Sequence, residues 1–407
     1  MRPVEMIIKT QIASLLLVLG CFQCSAIFCS AAFAQIVHPG VAHSAKQIEF
    51  VKAKVAASEQ PWLGAWKGLK QSRYASLDYL PQPFKSVQRG PYNDPDIGSS
   101  EFSDDARAAY YHAVCWTISD DEAHAKKASE IMDAWSGKLQ SVGEHDAKLL
   151  IGMSGYHFVI AAELIKHTWT GWPQDDQLKF ASMIREIWYP VIKDFYPTAN
   201  GNWDASMMQV MIAMGVFLDD QAIIDQVSDY FLIGEGNGAI GNYFKESGQC
   251  QESGRDQSHT QMGLEFLANT CETAWIQGVD LYGALDNRLL KGFEYTAKYN
   301  LGFDVPYEPF KSFQGRYHYK KISDDSRGRL RSMYERIYNH YNGRKELDAP
   351  FTKQALMKIR SSNAGRSYQR RDRDRNRQRN RRRGRSSSSD LDTLMYANQP
   401  AKVPVAP

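Results

Sequence analysis

DDARAAYYHAVCWTI, residues 104–118, places apolar side chains at the spacing of a helix face. Ser119 and Asp120 follow as a cap for a second helical stretch, 121–138. Upstream, 45–57 is periodic in the same way and precedes Pro61-Trp62. Downstream, 147–168, 177–197, 203–217, 219–232, 257–278 and 287–300 are rich in Ala, Met, Leu, Glu and Lys, and few runs alternate with period two. Gly, Pro and Asn collect between these stretches, at 171–173, 197–202 and in Gly234-Glu235-Gly236-Asn237-Gly238. The glycine run follows no strand and lacks the spacing of a nucleotide loop, so it reads as a turn. Helix pairs recur every ~30–45 residues without a repeated motif, which favours one all-α helical toroid over an open solenoid.

Composition agrees. The chain has 407 residues, 43% hydrophobic and 23% charged, values of a globular protein large enough to bury a core without metal or disulfide staples. Its net charge of +3 hides an asymmetry. Residues 366–385 hold eleven Arg and two Asp, a net of +9, which leaves −6 on the remaining 387. A mildly acidic body is a poor nucleic-acid binder, so none is expected as partner. Residues 366–389 are expected to be a disordered Arg/Ser-rich insertion, with 390–407 as the end of the main domain and a tail. The insertion is either a solvated segment without a role or a tether for a polyanion.

Residues 1–34 read as a secretory leader. Arg2 and Lys9 precede the apolar run 11–20, and Ala32-Phe33-Ala34 is a small-x-small cleavage site. Two other readings stay open: an uncleaved anchor, or a loose lipobox ending in Cys21. No other stretch reads as long and apolar enough to span a membrane, and a secreted or periplasmic location is expected. After cleavage Cys115, Cys250 and Cys271 remain, an odd count. Cys250 and Cys271 are the nearer pair for a disulfide, but buried free thiols are the preferred reading. No metal-ligand spacing, nucleophile elbow or Walker loop is visible.

Three segments carry chemistry: Asn202-Trp203-Asp204-Ala205-Ser206, the string Gln251-Glu252-Ser253-Gly254-Arg255-Asp256-Gln257-Ser258-His259, and residues 287–302 with Tyr295 and Tyr299. Together with Pro61-Trp62, the Asp105–Tyr110 helix and 390–395, they make residues 45–397 resemble the alginate lyase superfamily of uronate-polysaccharide lyases. The resemblance implies an incomplete (α/α) toroid over 35–365, an anionic polysaccharide substrate and no cofactor. It also implies that Asn202 and Arg255 bind the substrate carboxylate while His259 and a tyrosine transfer protons. Tyr299 is preferred for that tyrosine, with Tyr295 and Tyr307 as alternatives. Glu252, Trp203 and Tyr295 are expected to bind substrate.

The residue types suit the reaction independently. β-Elimination from a 4-linked uronan removes the C5 proton beside a carboxylate, so that carboxylate has to be neutralised or hydrogen-bonded as charge develops. Asn supplies amide donors and Arg a permanent forked cation, which makes a metal unnecessary for this purpose. His accepts a proton near neutral pH, and Tyr donates one. Arg255 and His259 share a face if 255–259 is helical. Each residue also has a plainer reading: Asn202 as an N-cap, Arg255 as an ion pair with Glu252 or Asp256, His259, His157, Trp203 and Tyr299 as core. Two rival functions remain open here. One is a helical-toroid glycoside hydrolase using Asp204 and Glu252, the other a non-catalytic glycan-binding protein.

Overall fold

The computed structural model describes residues 35–373 and 388–397. The expected leader 1–34 and the arginine-rich residues 374–387 lie outside the described residues.

A core circuit of helices is read from their contacts. It runs through Ala45–Ala56, Ser99–Ser119, Tyr156–Thr168, Gly201–Phe217 and Gln257–Ile276; Arg336 donating to Asn269 links the last of these to Tyr334–Tyr338, and Ser388–Tyr396 returns to the start. The return is tied by Gln47 Nε2 donating to the Met395 carbonyl at 2.6 Å and the Tyr396 hydroxyl donating to the Ala42 carbonyl at 3.2 Å. Outer helices Glu122–Ser136, Gln174–Met183, Gln221–Ile233 and Ala284–Asn300 pair with members of this circuit or with one another. This is the expected toroid of helical hairpins.

Burial separates the two layers. Gly201–Phe217 has no solvent-facing polar stripe, and every residue in it except Trp203 is buried. Such a helix is stable only when enclosed by others. Gln221–Ile233 buries only Ile223, Ile224, Val227 and Phe231, the single stripe of an amphipathic outer helix. The stretch Ala147–Thr168 is long and apolar enough to cross a membrane, which corrects the expectation that no stretch beyond the leader is. Its most apolar window is 83% buried within the protein, so it is a core helix here. Its middle, Ile151–Gly155, is a π-helical turn.

Strands are few among the described residues: Ser86–Arg89 with Asp96–Ile97 and Ser141–Gly143, and the hairpin Phe310–Lys311 with His318–Tyr319. Cys115, Cys250 and Cys271 are buried free thiols, so the Cys250–Cys271 bridge is not formed. The helix Pro350–Arg373 carries the first residues of the arginine-rich stretch, where disorder was expected from 366 onward.

Candidate active site

The string 251–259 docks on the start of the Gly201–Phe217 helix. A helix N-terminus leaves backbone N–H groups without intrahelical acceptors. Here two side chains of the string supply them: Gln251 Oε1 accepts from Gly201 N at 3.0 Å, and Glu252 Oε2 accepts from Asn202 N at 3.0 Å. Asn200 occupies the N-cap position, so Asn202 is not the cap. The Asn202 side chain is almost wholly buried, and neither its Oδ1 nor its Nδ2 has a hydrogen-bond partner in the protein. A buried amide without partners is rare and costly in a structural role.

Glu252 is the hub. Oε2 accepts from Asn202 N and from the Tyr243 hydroxyl at 2.9 Å, and Oε1 accepts from Arg255 Nη1 at 2.7 Å. Both its oxygens are taken by these three bonds from within the protein, so the expected contact with substrate is corrected. Its carboxylate instead fixes the Asn202 backbone and the Arg255 guanidinium relative to each other. Burial raises the Glu252 carboxyl above its ordinary value, with Arg255 and Tyr243 acting in the opposite direction. Burial also works against the Arg255 cation, but the Glu252 carboxylate overrides it and holds the guanidinium firmly protonated. Arg255 is thus an ion pair and still partly open, at 27% side-chain exposure.

The next helix, Gln257–Ile276, starts after Arg255, so Arg255 and His259 do not share a helical face. Asp256 joins them instead. Its Oδ1 accepts from His259 N at 2.7 Å as the N-cap, and its Oδ2 meets His259 Nδ1 at 2.6 Å. Arg255 Nε lies 3.8 Å from that same Oδ2. In the tautomer whose Nδ1 donates to this carboxylate, Nε2 is left as the acceptor nitrogen. The His259 side chain is 37% exposed, which is not a core position.

Tyr319 was missed by sequence reasoning. Its hydroxyl donates to Asn200 Oδ1 at 3.1 Å, beside the start of the Asn202 helix, and its electrostatic partners include Arg255 and Glu252. Burial pushes its pKa up to about 12, with Arg255 pulling the other way. Gly254 makes this approach feasible, since a Cβ there would fall 2.4 Å from Tyr319 Cβ. The loop after Tyr319 is clamped to the string by Ser323 N donating to the Ser253 carbonyl and Gln257 N to the Asp325 carbonyl, at 3.0 and 2.9 Å.

Of the three expected tyrosines, Tyr299 and Tyr295 are engaged elsewhere, whereas Tyr307 lies against the string, where a Cβ on Gly254 would fall 2.5 Å from its hydroxyl oxygen. The Tyr299 ring lies under the Arg327 guanidinium at 3.9 Å. The Tyr295 hydroxyl donates to the Pro306 carbonyl at 2.7 Å, and that of Tyr307 to the Tyr319 carbonyl at 3.0 Å. His157 stacks on Tyr110, with ring centroids 5.6 Å apart, and burial lowers its pKa to about 3. The hydrolase pair is also unsuitable. Asp204 is fully buried and accepts from Tyr196 N, the Tyr230 hydroxyl and Gly238 N, while Glu252 is enclosed as described.

A ring-lined wall extends from this centre. Trp203 packs edge-on against Tyr196 and His145, at centroid distances of 5.5 and 5.4 Å. Arg316 lies over both Tyr196 and Tyr317, and Tyr317 is parallel to Tyr319. Lys311, Arg316, Lys320 and Lys321 are all exposed on or beside the 310–319 hairpin. Sequence reasoning missed His145 and this cluster; the adjacent His145-Asp146 pair, bonded at 2.7 Å, was the available signal for the first.

The family model described as alginate lyase matches residues 42–304. No curated protein matches the chain. An alginate lyase from Bacteroides ovatus shares the fold at a TM-score of 0.55 and 12% identity, over 79% of this chain and 96% of that one. Alginate lyase A1-III from Sphingomonas species A1 aligns at a TM-score of 0.54 and 12% identity, over 75% of this chain and 88% of that one. A histidine-to-alanine variant of A1-III complexed with a tetrasaccharide aligns at 0.55 and 14% identity, over 79% and 93% of the two chains. The toroid and a family match spanning more than half of the sequence place the chain in the alginate lyase family, and it is a polysaccharide lyase.

Proposed function

We propose that the enzyme cleaves a 4-linked uronic-acid polysaccharide, alginate or a related uronan, by β-elimination. The Asn202 amide and the Arg255 guanidinium hold the carboxylate of the uronate whose C5 proton is removed. Charge develops on that carboxylate as the C5–H bond breaks, and two fixed donors stabilise it without reorganising. His259 Nε2 takes the proton, with Asp256 holding the tautomer and stabilising the imidazolium that forms. The Tyr319 hydroxyl gives a proton to O4 as the C4–O4 bond breaks and the C4–C5 double bond forms. Its raised pKa keeps it protonated and ready to act as the acid.

One observation carries this reading: Glu252 bonds both the Asn202 backbone and Arg255, so two carboxylate-binding groups are held beside the Asp256–His259 pair. The wall from Trp203 to Tyr317 and the cations at Lys311, Arg316, Lys320 and Lys321 suit flanking sugars of a polyanion. The leader-like residues 1–34 support a secreted or periplasmic location.

A panel of mannuronan, guluronan and glucuronan tests the proposal, with far-ultraviolet absorbance and reducing ends followed together. Elimination raises both signals in step, because each cut creates one unsaturated uronate. Reducing ends without absorbance mean hydrolysis, and binding without either signal means a glycan-binding protein.

A further inference from the structure

Glu163 and His167 lie one turn apart on the helix Tyr156–Thr168. Glu163 is completely buried. Its Oε2 and the Nε2 of His167 are both buried without a hydrogen-bond partner, and they face each other at 3.6 Å. A carboxylate oxygen and an imidazole nitrogen at this separation are too far apart to bond. They are close to the ~3.4 Å that separates two donors on one tetrahedral ion with ligand bonds of about 2.0–2.1 Å.

A third donor comes from outside the helix. His38, in the segment before the first helix, is hydrogen-bonded through Nδ1 to Glu163 Oε1 at 2.8 Å, a bond that a bound ion would replace with a ligand bond to Nδ1. Its ring stacks on that of His167, with centroids 4.1 Å apart. One donor atom from each of His38, Glu163 and His167 lies within 4.8 Å of the other two. The surroundings match those of a metal centre. Metal-bound histidines commonly pass their second ring N–H to a carboxylate, and His38 Nε2 lies 2.8 Å from Asp219 Oδ1. Gly40 N donates to Glu163 Oε1 at 2.9 Å and orients the carboxylate. Sequence reasoning found no metal motif because His38 lies 125 residues before Glu163, and only the fold joins it to the Glu163–His167 pair.

We propose that His38, Glu163 and His167 bind one divalent transition-metal ion of the zinc class, which pins the N-terminal segment to the core helix. Gln277 already bonds Val37 N and the Val37 carbonyl, at 2.9 and 3.0 Å, so the segment is in place before the ion arrives. The metal is structural and takes no part in elimination.

The full chain, stripped with chelator and dialysed, is titrated with zinc chloride by calorimetry, and with cobalt(II) while visible absorbance is followed. One ion should bind per chain, cobalt should show tetrahedral bands, and the melting temperature should rise with zinc. His167→Ala and His38→Ala should each abolish stoichiometric binding and the melting shift. Asp219→Asn should weaken binding by about 10–100-fold, the usual effect of losing an outer-sphere partner. Should His167→Ala fail to fold, His38→Ala carries the test, because His38 lies outside any helix. No saturable binding at one ion per chain, or binding unchanged in His38→Ala, overturns the proposal. Uronan cleavage is measured separately, and neither result decides the other.

Discussion

Tyr319→Phe removes one oxygen atom from the site. The hydroxyl makes one neutral hydrogen bond, to Asn200 Oδ1 at 3.1 Å, and that oxygen keeps a second donor in Gln251 Nε2 at 3.1 Å. No buried acceptor is orphaned, so the stability cost should be about 1 kcal/mol. In a domain of this size that lowers the melting temperature by only about 2–4 °C. Turnover should respond far more strongly. Loss of a positioned general acid costs about 10²–10⁴-fold, or roughly 2.7–5.4 kcal/mol of barrier. The assay is far-ultraviolet absorbance at saturating uronan, run beside Tyr299→Phe and Tyr295→Phe. Tyr299→Phe should keep near-normal kcat, since its ring packs under Arg327. Tyr295→Phe should lose about 1 kcal/mol with its bond to the Pro306 carbonyl, and little turnover. Because the Tyr319 pKa is raised to about 12, this acid should impose no alkaline limb on kcat below that region. A folded Tyr319→Phe enzyme with near-normal kcat, or a collapse of kcat in Tyr299→Phe instead, would refute the assignment.

Asn202→Ala and Arg255→Ala should each lower kcat and kcat/KM together, by about 10²–10³-fold, as expected for donors that act on developing charge; a rise in KM alone would make them ground-state binders. Lys320→Glu with Lys321→Glu should slow substrate capture at low salt and leave kcat unchanged; the difference should shrink as the Debye length falls to about 8 Å, and a kcat/KM equal to wild type at every salt concentration would remove these lysines from steering. Burial would raise the Glu272 carboxyl, but the Arg344 fork, bonded at 2.8 and 3.0 Å, pulls its pKa from 4.5 to about 2. A depressed carboxyl stabilises the fold fully above its unfolded value and ceases to do so as pH falls through the folded one. Melting temperature should therefore drop between about pH 4.5 and 2, and Glu272→Gln should flatten that part of the curve; an unchanged slope would contradict the assignment.

Helices were legible in the sequence because their signal is local. The 104–118 periodicity covers most of Ser99–Ser119, and 203–217 falls within Gly201–Phe217. The string 251–259 was legible as chemistry because its polar residues are adjacent. What each of them does was not. Glu252 looks like a substrate ligand until its burial and three bonds are seen. Asp256 is both helix cap and histidine partner, a double role that the Asp-x-x-His spacing hinted at and the reading passed over. Tyr319 was out of reach. It enters from a short hairpin about sixty residues downstream, with no periodicity to fix which tyrosine turns inward. Tyr295 and Tyr299 were preferred because they fell in the recognisable segment 287–302, but the Tyr295 hydroxyl is bonded to the Pro306 carbonyl and the Tyr299 ring lies under Arg327.

The central claim is that His259, held by Asp256, removes the C5 proton. It is tested most directly by the kcat of His259→Ala on the best uronan of the panel, with and without added imidazole. The account predicts a folded enzyme slowed by about 10²–10⁴-fold, with turnover partly restored by imidazole entering the space of the missing ring. A folded His259→Ala enzyme with turnover close to wild type would contradict it.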